Sequence, residues 1–207
     1  MNIAQYIDHT ILKPTCTIEE IKQLCGEART YQFFAVCVPP PLVRNAHGYL
    51  RDSAVKTATV IGFPFGYSTA KAKVFEAQQA LQDGADELDV VINLVALKNK
   101  IWSYLETELK HIVEAVHKHE RRLKVIIESG ILTDEEIITC CEIYTRTGVD
   151  FLKTSTGYAE TGATVEAVQL MRAHLPSTIR IKASGGIRTY EQAEKFIHAG
   201  ADRLGCS

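Results

Sequence analysis

No stretch of the 207 residues is apolar for long enough to cross a bilayer as a helix. The opening MNIAQYIDHTILKP has no basic segment leading into an apolar run, so it does not read as a secretion signal. Together these absences lead to the expectation of a cytoplasmic protein that engages no membrane. Charge of one sign is also lacking: 23 Lys and Arg stand against 25 Asp and Glu, a formal net charge of −2. No basic field is present to attract nucleic acid. The six cysteines (16, 25, 37, 140, 141 and 206) form no C-x-x-C pair. Adjacent Cys140 and Cys141 make a poor disulfide framework, so reduced thiols are expected. The seven histidines form no ligand set, and His117 and His119, two apart, point to different sides of a helix. No metal is therefore expected. No Pro/Gly/Ser linker or low-complexity tract divides the chain, and residues 1–207 read as one domain.

What is present is the composition of a globular protein, 46% hydrophobic and 23% charged. Eight apolar runs read as strands: YIDHTIL (6–12), FAVCV (34–38), KTATVIGF (56–63), ELDVVIN (87–93), LKVIIES (123–129), DFLKTST (150–156), IRIKAS (179–184) and RLGCS (203–207). Helical patterns separate most of them, over 17–31, 69–83, 101–119, 134–147, 165–174 and 190–199. Thr17–Glu20, Thr133–Glu136 and Thr189–Gln192 fit the reciprocal N-terminal cap S/T-x-x-E/Q. DGAD (83–86), TGVD (147–150) and AGAD (199–202) form a loose repeat, each placing a glycine between a helix end and the next strand. Near-continuous Val/Ile/Leu runs alternating with helices imply a parallel sheet covered on both faces. Eight such units predict an α/β fold, a closed (β/α)8 TIM barrel. An open doubly wound sheet is the alternative, without a G-x-G-x-x-G loop to support it. The sequence ends at Ser207 directly after the eighth strand, so the last helix of such a barrel is missing and a longer natural chain is expected.

Charged residues in buried strands are costly, so each needs a reason. Alternation puts Phe151, Lys153 and Ser155 on one face of the sixth strand, and Lys182 on a face of the seventh with Arg180. Asp89, Asp8, Cys37 and Glu128 are further polar residues in otherwise apolar strands. Taken singly, each has a bland explanation: a solvent-facing lysine, a structural ion pair, a core thiol. Two lysines on adjacent strands change that balance. Neighbouring cations depress a lysine pKa, which leaves a neutral amine able to attack a carbonyl. Asp89 would then shuttle protons. Gly157 follows the sixth strand, Gly185 and Gly186 follow the seventh, and Ser207 ends the eighth. Such turns present backbone N–H groups to anions. Spacing and chemistry alone thus reach a Schiff-base or phosphate-using barrel enzyme.

IDHTILKP, AVCVPP, GFPFG, DGADELDVVIN, KVIIESGILTDEE, DFLKTSTG, KASGGIRT and AGADRLGCS resemble, in order, the segments of the deoxyribose-phosphate aldolase family. The resemblance implies a class I aldolase that cleaves 2-deoxy-D-ribose 5-phosphate to acetaldehyde and D-glyceraldehyde 3-phosphate. It implies Lys153 as the Schiff-base lysine, Lys182 as its perturbing neighbour and Asp89 as the proton-transfer carboxylate. It places Asp8 near the substrate hydroxyls and Cys37 near the site, with Gly157, Gly185, Gly186 and Ser207 as phosphate contacts. It implies no metal or other cofactor, and is compatible with a homodimer or homotetramer. Two departures stand out. Tyr158 follows KTSTG where members often carry Phe or Lys, so phosphate would rely on backbone N–H groups and Lys182. Val95 stands where glycine is usual. Another Schiff-base aldolase of phosphorylated sugars, or a non-catalytic sugar-phosphate-binding barrel, are the alternative readings.

Overall fold

The computed structural model describes residues 1–207. Eight parallel strands close into a barrel in sequence order, β1-β2-β3-β4-β5-β6-β7-β8. They are β1 (Ile7–Thr10), β2 (Ala35–Val38), β3 (Lys56–Ile61), β4 (Glu87–Val91), β5 (Arg122–Ile126), β6 (Phe151–Lys153), β7 (Arg180–Ser184) and β8 (Arg203–Cys206). The outer helices are α1 (Ile18–Thr30), α2 (Val43–Leu50), α3 (Ala70–Gln82), α4 (Leu94–Lys98), α5 (Trp102–His117), α6 (Asp134–Thr147), α7 (Val165–His174) and α8 (Tyr190–His198).

The helix starts follow the signals in the sequence. Thr17, Thr133 and Thr189 each cap a helix, with Glu20, Glu136 and Gln192 completing the reciprocal bonds. Gly148 ends α6 at φ 76°, a conformation that favours glycine. Two helices were not anticipated. The first turn of α2 has no capping side chain and follows the Pro39–Pro41 run, while α4 is a single short turn after β4. Strand β6 is shorter than the apolar pattern suggested. Past Lys153 the backbone leaves the ladder, although Thr154 still donates its N–H to the Lys182 carbonyl at 3.0 Å.

Two different interiors result. Outward-facing strand residues such as Leu88, Val90, Val125, Leu152, Ile181 and Leu204 join the helix faces in one apolar shell of 45 buried residues. Inside the barrel, the apolar cluster is only Cys37, Ala58 and Val60. Around it, buried charged side chains share the barrel centre with Phe151, Ile126 and Val91.

Candidate active site

Strand register sets the site. Asp89 on β4 lies beside Lys124 on β5. Lys153 on β6 lies beside Lys182 on β7, and Lys182 beside Arg203 on β8. With alternation, these side chains all enter the barrel. Asp89 Oδ1 accepts from Lys124 Nζ at 2.7 Å, while its Oδ2 accepts from both Lys153 Nζ and Lys182 Nζ at 2.8 Å. Asp8 Oδ2 accepts from Lys182 at 2.5 Å, and Asp8 Oδ1 accepts from Arg203 Nε at 2.9 Å. Glu87 Oε2 closes the network, 2.6 Å from Lys124 Nζ and 3.0 Å from Arg203 Nη2. Phe151 forms the floor, with Lys124 Nζ 5.9 Å and the Arg203 guanidinium 6.0 Å from its ring centre.

The network holds four basic side chains (Lys124, Lys153, Lys182, Arg203) and three carboxylates (Asp8, Glu87, Asp89). Fully ionised, it would carry one buried excess positive charge. Burial makes that state costly, and the group with the fewest counter-ions loses its proton most easily. Lys124 faces two carboxylates at close range, Lys182 two and Arg203 two, whereas Lys153 has only an oxygen of Asp89 that it shares with Lys182.

The pKa directions agree. Burial lowers the Lys153 amine, Lys182 lowers it further, and the opposing pull of Asp89 does not cancel the two. Lys124 and Lys182 go up, because their carboxylate partners outweigh burial. Asp89 is driven well below the ordinary carboxylate range: burial works to raise it, but Lys124, Lys153 and Lys182 prevail. Asp8 is likewise lowered against burial, by Lys182, Arg203 and Lys124. Burial, rather than the neighbouring lysine that the sequence suggested, is thus the first cause of the Lys153 shift.

Above this network a cavity of about 440 Å³ opens at the C-terminal ends of the strands, lined among others by Lys153, Thr10, Ser184, Gly157, Gly185 and Ser207. Lys153 is the one member of the charged network that reaches it. Lys182, Asp8, Asp89 and Cys37 lie beneath, each fully buried. Lys182 is therefore committed to the network and is not placed to meet a phosphate. Burial also raises the Cys37 thiol, with Asp89 adding to the effect. Gly186 sits next to the lining on the exposed side of the β7 turn. Gly157, Gly185 and Gly186 adopt φ of 86°, 90° and 84°. Their N–H groups donate to no protein acceptor, as an anion-binding turn requires.

Glu128 fixes the loop after β6: its carboxylate accepts the Thr156 N–H at 3.2 Å and the Thr156 hydroxyl. The residues that sequence reasoning passed over are Lys124, Glu87 and Arg203. Lys124 shares the inward phase of β5 with Ile126, the same signal that singled out Lys153. Glu87 and Arg203 begin their strands, where a charged residue ordinarily reads as solvent-facing.

A (β/α)8 enzyme whose cavity floor is a single buried amine is the class that fold and site define. The family model described as DeoC/LacD family aldolase matches residues 2–205. The chain belongs to that aldolase family. A deoxyribose-phosphate aldolase of Thermococcus kodakarensis is 52% identical over 207 residues, covering 99% of this chain and 92% of the relative. The crystal structure of a putative deoxyribose-phosphate aldolase from Coccidioides immitis superposes with a TM-score of 0.96 at 43% identity, covering 100% of this chain and 82% of that one. The deoxyribose phosphate aldolase of Aeropyrum pernix, described as a unique tetrameric structure, superposes with a TM-score of 0.92 at 33% identity, covering 99% and 86%.

Proposed function

We propose that this aldolase reversibly cleaves 2-deoxy-D-ribose 5-phosphate to acetaldehyde and D-glyceraldehyde 3-phosphate through a Schiff base on Lys153. The observation that carries the reading is the placement of Lys153. It is the least compensated base of a buried network and the only one facing the cavity. The names of the full-length relatives support the substrate.

The steps follow from the geometry. The neutral Lys153 amine attacks C1 of the open-chain aldehyde, and the oxygen gains a proton to give a carbinolamine. Water leaves and an iminium forms. The iminium keeps the positive charge on the nitrogen that lies 2.8 Å from Asp89 Oδ2 in the unreacted enzyme, so the carboxylate that faced the ammonium is placed to face the intermediate too. The C3 hydroxyl gives up its proton, the C2–C3 bond breaks, and its electrons flow into the iminium to form an enamine. C3 departs as the aldehyde of glyceraldehyde 3-phosphate. Protonation of the enamine at C2 and hydrolysis release acetaldehyde and restore the amine. Asp89, in contact with Lys153, is the carboxylate assigned to proton transfer at that nitrogen. Lys182 keeps a cation beside it, and Asp8 holds Lys182 in place. Gly157, Gly185, Gly186 and Ser207 are assigned to the phosphate.

A free sugar phosphate suits a cytoplasmic enzyme, and the tetrameric relative supports a homotetramer, which light scattering in solution would check. The direct test of the chemistry is reductive trapping. Acetaldehyde with borohydride should leave an ethyl group on Lys153, located by peptide mass spectrometry. Label mapping mainly to Lys182, or persisting in Lys153→Ala, would contradict the assignment.

A further inference from the structure

A phosphomonoester substrate brings negative charge to a cavity with little free positive charge to meet it. Lys153 has to be neutral to react, and Lys182 is buried on Asp8 and Asp89. Tyr158, on the loop after β6, offers a neutral hydroxyl. One other cation lines the same cavity: Lys13, between β1 and α1.

Lys13 is held in a way that allows it to leave. Its ammonium bonds Glu20 Oε1 at 2.5 Å, and both side chains are open to solvent, at 53% and 35% relative exposure. An exposed pair of this kind contributes little to stability. Glu20 keeps a second role when Lys13 departs, because its Oε2 accepts the Thr17 N–H at 2.9 Å in the cap of α1. The Tyr158 hydroxyl donates to the Leu12 carbonyl at 3.0 Å, which ties the Lys13 segment to the glycine loop after β6. That loop and the next supply the unpaired N–H groups of Gly157 and Gly185.

We propose that Lys13 is a specificity-determining residue, which exchanges Glu20 for the phosphate of the substrate while the Gly157 and Gly185 amides hold the same group. The cation absent from position 158 is thereby supplied from the first βα segment. A phosphate dianion carries two charges to the one of Glu20 and also meets the Gly157 and Gly185 amides, so binding drives the exchange. The inference rests on the aldolase reading for its substrate, but its test need not involve turnover.

Glycerol 3-phosphate, which has no carbonyl to react, is titrated calorimetrically into the parent protein, Lys13→Met and Lys13→Arg. Loss of one charge-assisted bond should weaken binding in Lys13→Met by about tenfold or more. Lys13→Arg should recover most of it. Kinetically, KM for 2-deoxyribose 5-phosphate should rise by a similar factor with little change in kcat, the pattern of lost uniform binding. The preference for the phosphorylated over the unphosphorylated sugar should fall accordingly. Equal glycerol 3-phosphate affinity in parent and Lys13→Met would overturn the proposal, as would equal losses for both sugars. Failure of the Schiff-base reading would show elsewhere, as absent trapping at Lys153 with the Lys13-dependent phosphate affinity intact.

Discussion

Lys73 and Glu108, between α3 and α5, are as thoroughly buried as Lys153 and Asp89 inside the barrel, yet the two sites are organised differently. In the shell the count is one to one. Lys73 Nζ meets Glu108 Oε2 at 3.0 Å and the Val91 carbonyl at 2.8 Å, and the Tyr104 hydroxyl reaches Glu108 at 3.4 Å. Neither residue lines the cavity. In the barrel, bases outnumber carboxylates and one base reaches open space. Buried charge alone therefore does not mark a reactive group. An uncompensated base that also touches a cavity does, because only there does removing a proton relieve the cluster and free an amine for substrate.

The largest expected effect comes from removing that base. Lys153→Met should lower kcat/KM by a factor on the order of 10⁴ or more at every pH, since no protonation change replaces a nucleophile. Retained circular dichroism would show that the barrel still forms. A variant with substantial turnover would place the amine elsewhere.

Lys182→Met comes next. It leaves three bases for three carboxylates, so Lys153 can keep its proton at no excess charge. Its pKa rises, and activity near neutrality should fall by roughly tenfold for each unit of rise. The acidic limb of the kcat/KM profile should move to higher pH, with partial recovery in alkali.

The shell pair should respond in stability instead. Lys73→Met or Glu108→Leu alone strands a buried charge and should cost about 3–5 kcal/mol in urea unfolding. Burial lowers Lys73 and raises Glu108, each toward its uncharged form. The double variant should therefore recover much of the loss, while the pH profile of activity stays where it was. A moved acidic limb in that variant would break the distinction between the two regions.

Cys37→Ala should do least. The thiol packs with Ala58 and Val60 beside the network and does not reach the cavity. Its loss should cost about 1 kcal/mol of stability by the cavity it leaves, with kcat/KM close to the parent. A large fall in kcat/KM would return Cys37 to the substrate contacts.

The same comparison explains what was legible in the sequence. The shell is written locally: 3.6-residue and near-continuous apolar patterns, with Thr17, Thr133 and Thr189 marking helix starts, so the closed barrel could be read directly. Helix α2 lacks a cap and contains Gly48, and it went unseen. In the site, Lys153, Lys182 and Asp89 stood out as charges inside apolar runs near glycine turns. Lys124, Glu87 and Arg203 did not, because what makes them part of the site is register between strands, and register is not a local property of sequence. Lys13 was missed for the opposite reason: an exposed loop lysine carries no sign of the cavity it borders.

That Lys153 is the member of the cluster that gives up its proton is tested most directly by its own titration. Trace acetylation with isotopically labelled acetic anhydride, quantified for the Lys153 peptide across pH, reports the fraction of neutral amine. In the parent protein the midpoint should lie below the ordinary lysine value of about 10.4, and in Lys182→Met it should move upward. A parent midpoint at the ordinary value, or one that Lys182→Met leaves in place, would contradict the reading of the barrel interior as a network built to release that proton.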